Sequence, residues 1–182
     1  KSAAALRARA AAAWSAGVDA IEMFNHFDPQ QSYWLELGSL GSLRDLPKTY
    51  FVSVQGEGSA QSWVPTDEYI TLPGLTPDEP EIIPSGAKLT YGIYLGDDLH
   101  ESSPLTPRIR IQLSDTIGST DAKVRWHGTT LELKPDGPGD YTASLDPSTI
   151  VPGRHRIEVL NPGITDVEIG DLMVELILAP GH

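Results

Sequence analysis

The chain has 182 residues, 40% of them hydrophobic, and a formal charge of −12, which is length enough for one domain with a packed core and part of another. It has no cysteine, which excludes disulfides, thiolate metal sites and a cysteine nucleophile, and no apolar run approaches the ~20 residues of a membrane-spanning helix. Residues 1–56 hold five basic and five acidic side chains, so the whole excess of acid lies in 57–182; such a surface repels phosphate backbones and argues against a nucleic-acid partner.

The sequence starts at Lys1 rather than Met and is expected to continue a longer chain. Arg7 and Arg9 interrupt the apolar stretch that a signal peptide would need. Ala3–Ala16 is mostly alanine with Leu6, Trp14 and the two arginines, the composition of a strong helix former. Ser2 is placed to cap its start and Gly17 to end it. Val18–Asn25, rich in apolar residues, reads as a strand buried on both faces. Helix, tight turn and buried strand together are the pattern of a parallel α/β unit.

Asp28-Pro29 opens a second predicted helix, with Tyr33, Trp34 and Leu37 at helical spacing. Gly38 and Gly41 punctuate it, and a shorter helical stretch over Ser42–Leu46 ends at Pro47. A buried parallel strand needs neighbours on both sides, and Tyr50–Val54 is the main candidate. The α/β part is therefore expected to be incomplete.

Beyond Gly56 the hydrophobic period becomes two. Leu89, Tyr91, Ile93 and Leu95 alternate with polar or small residues, as do Ile109, Ile111 and Leu113; Val124 and Trp126; Leu131 and Leu133; Tyr141, Ala143 and Leu145; His155, Ile157 and Val159; and Leu172 to Leu178. Turn residues separate these runs at Gly96-Asp-Asp98, His127-Gly128, Pro135–Gly139, Pro152-Gly153 and Asn161–Gly163. Seven or eight short strands at such spacing indicate a mainly β fold, an antiparallel β-sandwich of jelly-roll type. The expected organisation is an α/β segment over 1–56, a linker over 57–65 and a sandwich over 66–182, with the proline-rich stretch Pro73–Pro84 as a long loop inside it.

Arg7-Ala-Arg-Ala-Ala-Ala-Ala-Trp14, Gly17-Val-Asp-Ala-Ile-Glu-Met-Phe-Asn25, Leu35-Glu-Leu-Gly38 and Leu46-Pro-Lys-Thr-Tyr50 resemble the last quarter of bacterial glycoside-hydrolase-like (β/α)8-barrel proteins, over about residues 6–51. The resemblance implies the seventh helix, eighth strand and eighth helix of a TIM-type barrel, followed by a small accessory sandwich. It implies a carbohydrate partner, an extracellular or periplasmic location, and a parent whose catalytic carboxylates sit on earlier strands, so that residues 1–182 are not catalytic alone.

In that frame the cleft edge of the strand is Phe24, Asn25, His26 and Phe27, where aromatic and amide groups would meet a sugar. Glu22 shares a strand face with Ala20 and Phe24, so it is read either as a site residue or as the partner of a barrel arginine. Among the aromatic residues of the sandwich, alternation sends Tyr91 and Trp126 to the core and leaves Tyr94 as the platform candidate for a sugar.

The five histidines have no ligand spacing, and no Gly-x-Ser-x-Gly elbow occurs. No cofactor is implied. Structural calcium would have to use the acidic turns at Asp97-Asp98, Asp136–Asp140 or Asp166–Asp171, none of which follows a spaced ligand loop. Residues 3–27 would expose much apolar surface, which calls for cover by the missing barrel portion, by a second copy of the chain, or by the sandwich itself. The alternative to the enzyme-accessory reading is a self-standing carbohydrate-binding or protein-interaction sandwich.

Overall fold

A computed structural model describes residues 2–23, 28–52, 75, 80–99, 103–114 and 121–179. The alanine-rich segment forms helix α1, Ala3–Ser15. Ser2 is extended as a cap residue should be but makes no side-chain capping bond, while Gly17 takes φ +87°, the left-handed conformation that ends helices. Two single-turn helices follow, α2 (Tyr33–Glu36) and α3 (Leu40–Leu43). The second predicted helix is thus much shorter than its spacing suggested. Asp28 caps no helix; its carboxylate accepts from the Gln30 N–H at 3.0 Å and from the Gln31 amide at 2.6 Å in a local turn.

Val18–Met23 form no strand, which corrects the expected buried β segment. The apolar character of the run has another cause. Ile21 and Met23 are half-buried against a small core made by Leu6, Ala10, Ala11, Tyr33, Leu37 and Leu43.

The strands are β1 (Lys48–Phe51), β2 (Glu81–Ile83), β3 (Lys88–Leu95), β4 (Leu105–Ser114), β5 (Lys123–Trp126), β6 (Thr129–Thr130), β7 (Lys134–Pro135), β8 (Asp140–Ser144), β9 (Gly153–Leu160) and β10 (Val167–Leu178). They make two antiparallel sheets. The larger runs β1-β10-β4-β8-β7, with β2 also paired to β10; the smaller runs β3-β9-β5-β6. The inward residues that alternation marked fill the space between them, among them Tyr91, Ile93, Ile109, Ile111, Trp126, Ile157, Val159, Leu172 and Val174. The chain is mainly β, as its period indicated.

Three details differ from the sequence reading. β2 lies inside the proline-rich stretch read as loop, its three residues pairing with Val167–Ile169. Leu131 and Leu133 are not in a strand; they pack, half-buried, against the core between β6 and β7. β1, grouped by sequence with the N-terminal segment, hydrogen-bonds to β10 with Lys48 opposite Leu176 and Phe51 opposite Met173.

Helix α1 lies across β1 and the end of β3, with Ala8 and Ala12 entering the sandwich core. For Ala3–Ser15, then, the cover is the chain's own sandwich. The approach is close enough that a Cβ built on Gly96 would lie 2.2 Å from the carbonyl carbon and oxygen of Ala11. Only glycine fits there. No helix among the described residues is long and apolar enough to cross a membrane.

Candidate functional site

The residues singled out by sequence do not converge. Glu22 is exposed in irregular chain rather than facing a barrel interior, so the reading that buried it is corrected. Phe24, Asn25, His26 and Phe27 lie outside the described residues. The carboxylate that meets an arginine at this end of the molecule is Glu36. Arg7 grips it with Nε at 2.7 Å and Nη2 at 3.0 Å, a bidentate pair between α1 and α2 that holds the Glu36 carboxyl below its ordinary range.

Tyr94 is 42% exposed on the outward face of β3, while Tyr91, Trp126 and Tyr141 are buried. Its neighbours make this face the best-defined surface site. Strand pairing sets Tyr94 opposite Arg154, Gly92 opposite Arg156 and Thr90 opposite Glu158, with Arg125 opposite Glu158 on the other side. Gly92 leaves a gap in the row of side chains, and the Arg154 guanidinium occupies it: a Cβ on Gly92 would be 2.8 Å from Nε and 2.9 Å from Nη2. The guanidinium is therefore held against β3 at Gly92, two residues along the strand from Tyr94. Glu158 sits beneath Lys88 at 2.8 Å and Arg156 at 2.6 Å, and its carboxyl is held low first by the Lys88 hydrogen bond. One carboxylate thus orients two cations.

A second polar cluster ties the helix end to the sandwich. The Lys48 ammonium is fully buried, 2.8 Å from Asp97, and also donates to the carbonyls of Leu43 and Leu46. Burial pulls its pKa down from the ordinary lysine range and Asp97 opposes that pull. The Tyr50 hydroxyl donates to Asp97 and accepts from the Gly96 N–H at 3.2 Å. Burial first, and Asp97 second, push that phenol far above its ordinary range, so it stays a donor. Lys48, Tyr50 and Asp97 form a closed network, with each polar group satisfied by the others or by backbone.

The third cluster is at the β5–β6 turn. His155, 2% exposed, stacks on Trp126 with ring centroids 4.9 Å apart and meets His127 with its Nδ1 2.9 Å from Nε2. His155 Nε2 is 2.7 Å from the Val151 carbonyl, which only accepts, so the ring proton is on Nε2 and Nδ1 is the acceptor for His127. Burial holds the His155 pKa below its ordinary value.

Three of the acidic residues considered for calcium have other partners. Asp97 serves Lys48 and Tyr50, Asp140 meets Arg110 at 3.2 Å, and Asp166 accepts from the Ser85 N–H. Among the described residues no group of three or more His, Asp or Glu side chains is arranged to hold a metal ion.

Sequence reasoning isolated Tyr94 but missed Arg154 and Arg156. The available signal was Gly92: a glycine inside a strand marks a close approach, and Arg154, which fills it, is followed two residues on by Arg156 in β9.

No protein-family model and no curated protein sequence matches the chain. Solved structures similar to it include a β-porphyranase of glycoside hydrolase family 86 from the human gut bacterium Bacteroides plebeius, at 10% identity and TM-score 0.45, with 71% of this chain and 20% of that one covered. Wild-type BuGH86 in complex with neoagarooctaose is similar at 15% identity and TM-score 0.41, over 53% of this chain and 17% of that one. The chain thus spans a fifth or less of the length of these structures, and likeness at this level assigns it no activity.

Proposed function

We propose that residues 1–182 are the sandwich-bearing part of a longer carbohydrate-active protein, in which the sandwich is an accessory domain rather than the catalytic one. The observation that carries this reading is the junction. Helix α1 is locked to the sandwich by the Gly96–Ala11 contact and stands over the buried Lys48–Asp97–Tyr50 network, so whatever precedes the helix is held in a fixed attitude to the sheet face bearing Tyr94. A tethered binding module on a loose linker would not need such a joint. The carbohydrate class rests on the resemblance carried by residues 6–51 and on the exposed Tyr94, whose ring can stack on a sugar while its hydroxyl stays wet.

The test is isothermal calorimetry of residues 1–182 against a panel of oligosaccharides, neoagarooctaose included, beside an assay for new reducing ends. Binding without turnover is the expected result. Turnover by this chain would overturn the accessory role, and failure of a folded chain to bind any glycan would overturn the carbohydrate class.

A further inference from the structure

The charge on this molecule is segregated. The outward positions of β3, β9 and β5 carry Lys88, Arg154, Arg156, Lys123 and Arg125, five of the chain's thirteen basic residues, against Glu158, one of its twenty-five acidic ones. A face this basic on a protein of net charge −12 is not what random placement of its charges gives. Glu132, one residue beyond the Leu131 N–H bond to the Val124 carbonyl, flanks the Lys123 end.

We propose that this face binds an anionic polysaccharide, with Arg154 and Arg156 contacting its sulfate or carboxylate groups and Tyr94 stacking on an adjacent sugar. The inference rests on the carbohydrate reading above and adds the charge class of the ligand. Arg154 is exposed and makes no ion pair among the described residues, and its guanidinium is seated in the gap at Gly92 with Nε and Nη2 nearest the strand. A guanidinium already seated on the sheet suits a sulfate or carboxylate, because less rotamer freedom remains to be lost when its outer Nη groups donate. Arg156 is aimed by Glu158 from below and is 61% exposed, so it keeps donors for a ligand above the sheet. Tyr94 stands directly across from Arg154, which puts the stacking surface and the anion donor within one ladder rung. Screening at physiological salt weakens interactions beyond about 8 Å, so the cations nearest a ligand on this face weigh more than distant acidic residues.

The test is affinity electrophoresis of the 182-residue chain in gels containing dextran, dextran sulfate, polygalacturonate or double-stranded DNA, at low and high NaCl. Retardation by dextran sulfate, polygalacturonate or both, relieved by salt and absent with dextran, is the expected result, and the pair of anionic gels tells sulfate from carboxylate. R154A/R156A should weaken that retardation by about tenfold or more. R108A/R110A makes the same charge change on the larger sheet and should leave it intact. Far-UV circular dichroism confirms that both variants are folded. Equal retardation by dextran would overturn the anion preference and leave the carbohydrate reading standing. DNA retarding the chain as strongly as the glycans, or R108A/R110A weakening it as much as R154A/R156A, would overturn the assignment of ligand or face. No retardation in any gel would overturn both.

Discussion

The ammonium of Lys48 and the carboxylate of Asp97 meet 2.8 Å apart, with both residues under a tenth exposed, and join the start of β1 to the loop after β3 beneath helix α1. Removing one partner strands the other in the interior, a change that costs about 3–5 kcal/mol. Lys48→Met should therefore lower the melting temperature sharply. In a double-mutant cycle, Lys48→Met with Asp97→Asn should be less destabilised than the separate losses add up to, by about 0.5–3 kcal/mol. Additive losses in urea titrations would mean that the two groups do not act as a pair.

Two glycines at close approaches should behave differently when given a methyl group. Gly96→Ala drives a Cβ into the backbone of Ala11, which cannot move without undocking α1. Hydrogen exchange should then show the amides of Ala3–Ser15 losing protection while the sandwich strands keep theirs. Gly92→Ala meets only the end of the Arg154 side chain. It should leave the melting temperature within a few degrees of wild type and displace the guanidinium. If Gly96→Ala leaves helix protection unchanged, the helix is not locked where the structure has it.

His155 makes folding pH-dependent. Its folded pKa lies below the ordinary value of 6.5, chiefly because it is buried. Below that pH the unfolded chain takes up a proton that the folded chain refuses, so this contribution to stability is complete above about pH 6.5 and is lost as the pH falls. The drop in melting temperature from pH 7.5 to 5.5 should be smaller in His155→Gln than in the wild type. An unchanged drop would show that other groups carry the dependence.

Glu36 supplies a separate acid-side effect. Its pKa is depressed, first by the Arg7 hydrogen bond, so its contribution is present above the unfolded value and is lost as pH falls through the folded one. Glu36→Gln should flatten the melting curve between about pH 5 and 3, and because the pair is partly exposed the change should be at most about 1 kcal/mol. A wild-type slope in that interval would contradict the pairing.

Much of the sandwich was legible because its strands are half-buried and alternate. Tyr91, Trp126 and His155 fell on the inward face by period alone, and Tyr94 on the outward one. β1 was partly legible: Tyr50–Val54 reads as a strand, but the strand starts at Lys48, and an inward lysine reads as outward until its partner Asp97, distant in sequence, is known. β2 was masked by flanking prolines that happen to bound a strand of three residues. The segment after Gly17 failed for the opposite reason. Ile21 and Met23 are apolar because they rest against a helix, and periodicity over a short run does not separate that from a buried strand. The basic face was invisible to a charge count by region, since 57–182 is strongly acidic overall while five of its eight cations lie on the smaller sheet.

The measurement that tests the account most directly is a two-dimensional ¹⁵N NMR titration of residues 1–182 with a sulfated or uronic oligosaccharide. The account expects shifts centred on Tyr94, Arg154, Arg156 and Arg125 of the smaller sheet, with the amides of β4 and β10 unmoved. Shifts centred on the larger sheet, or none at saturating ligand, would contradict it.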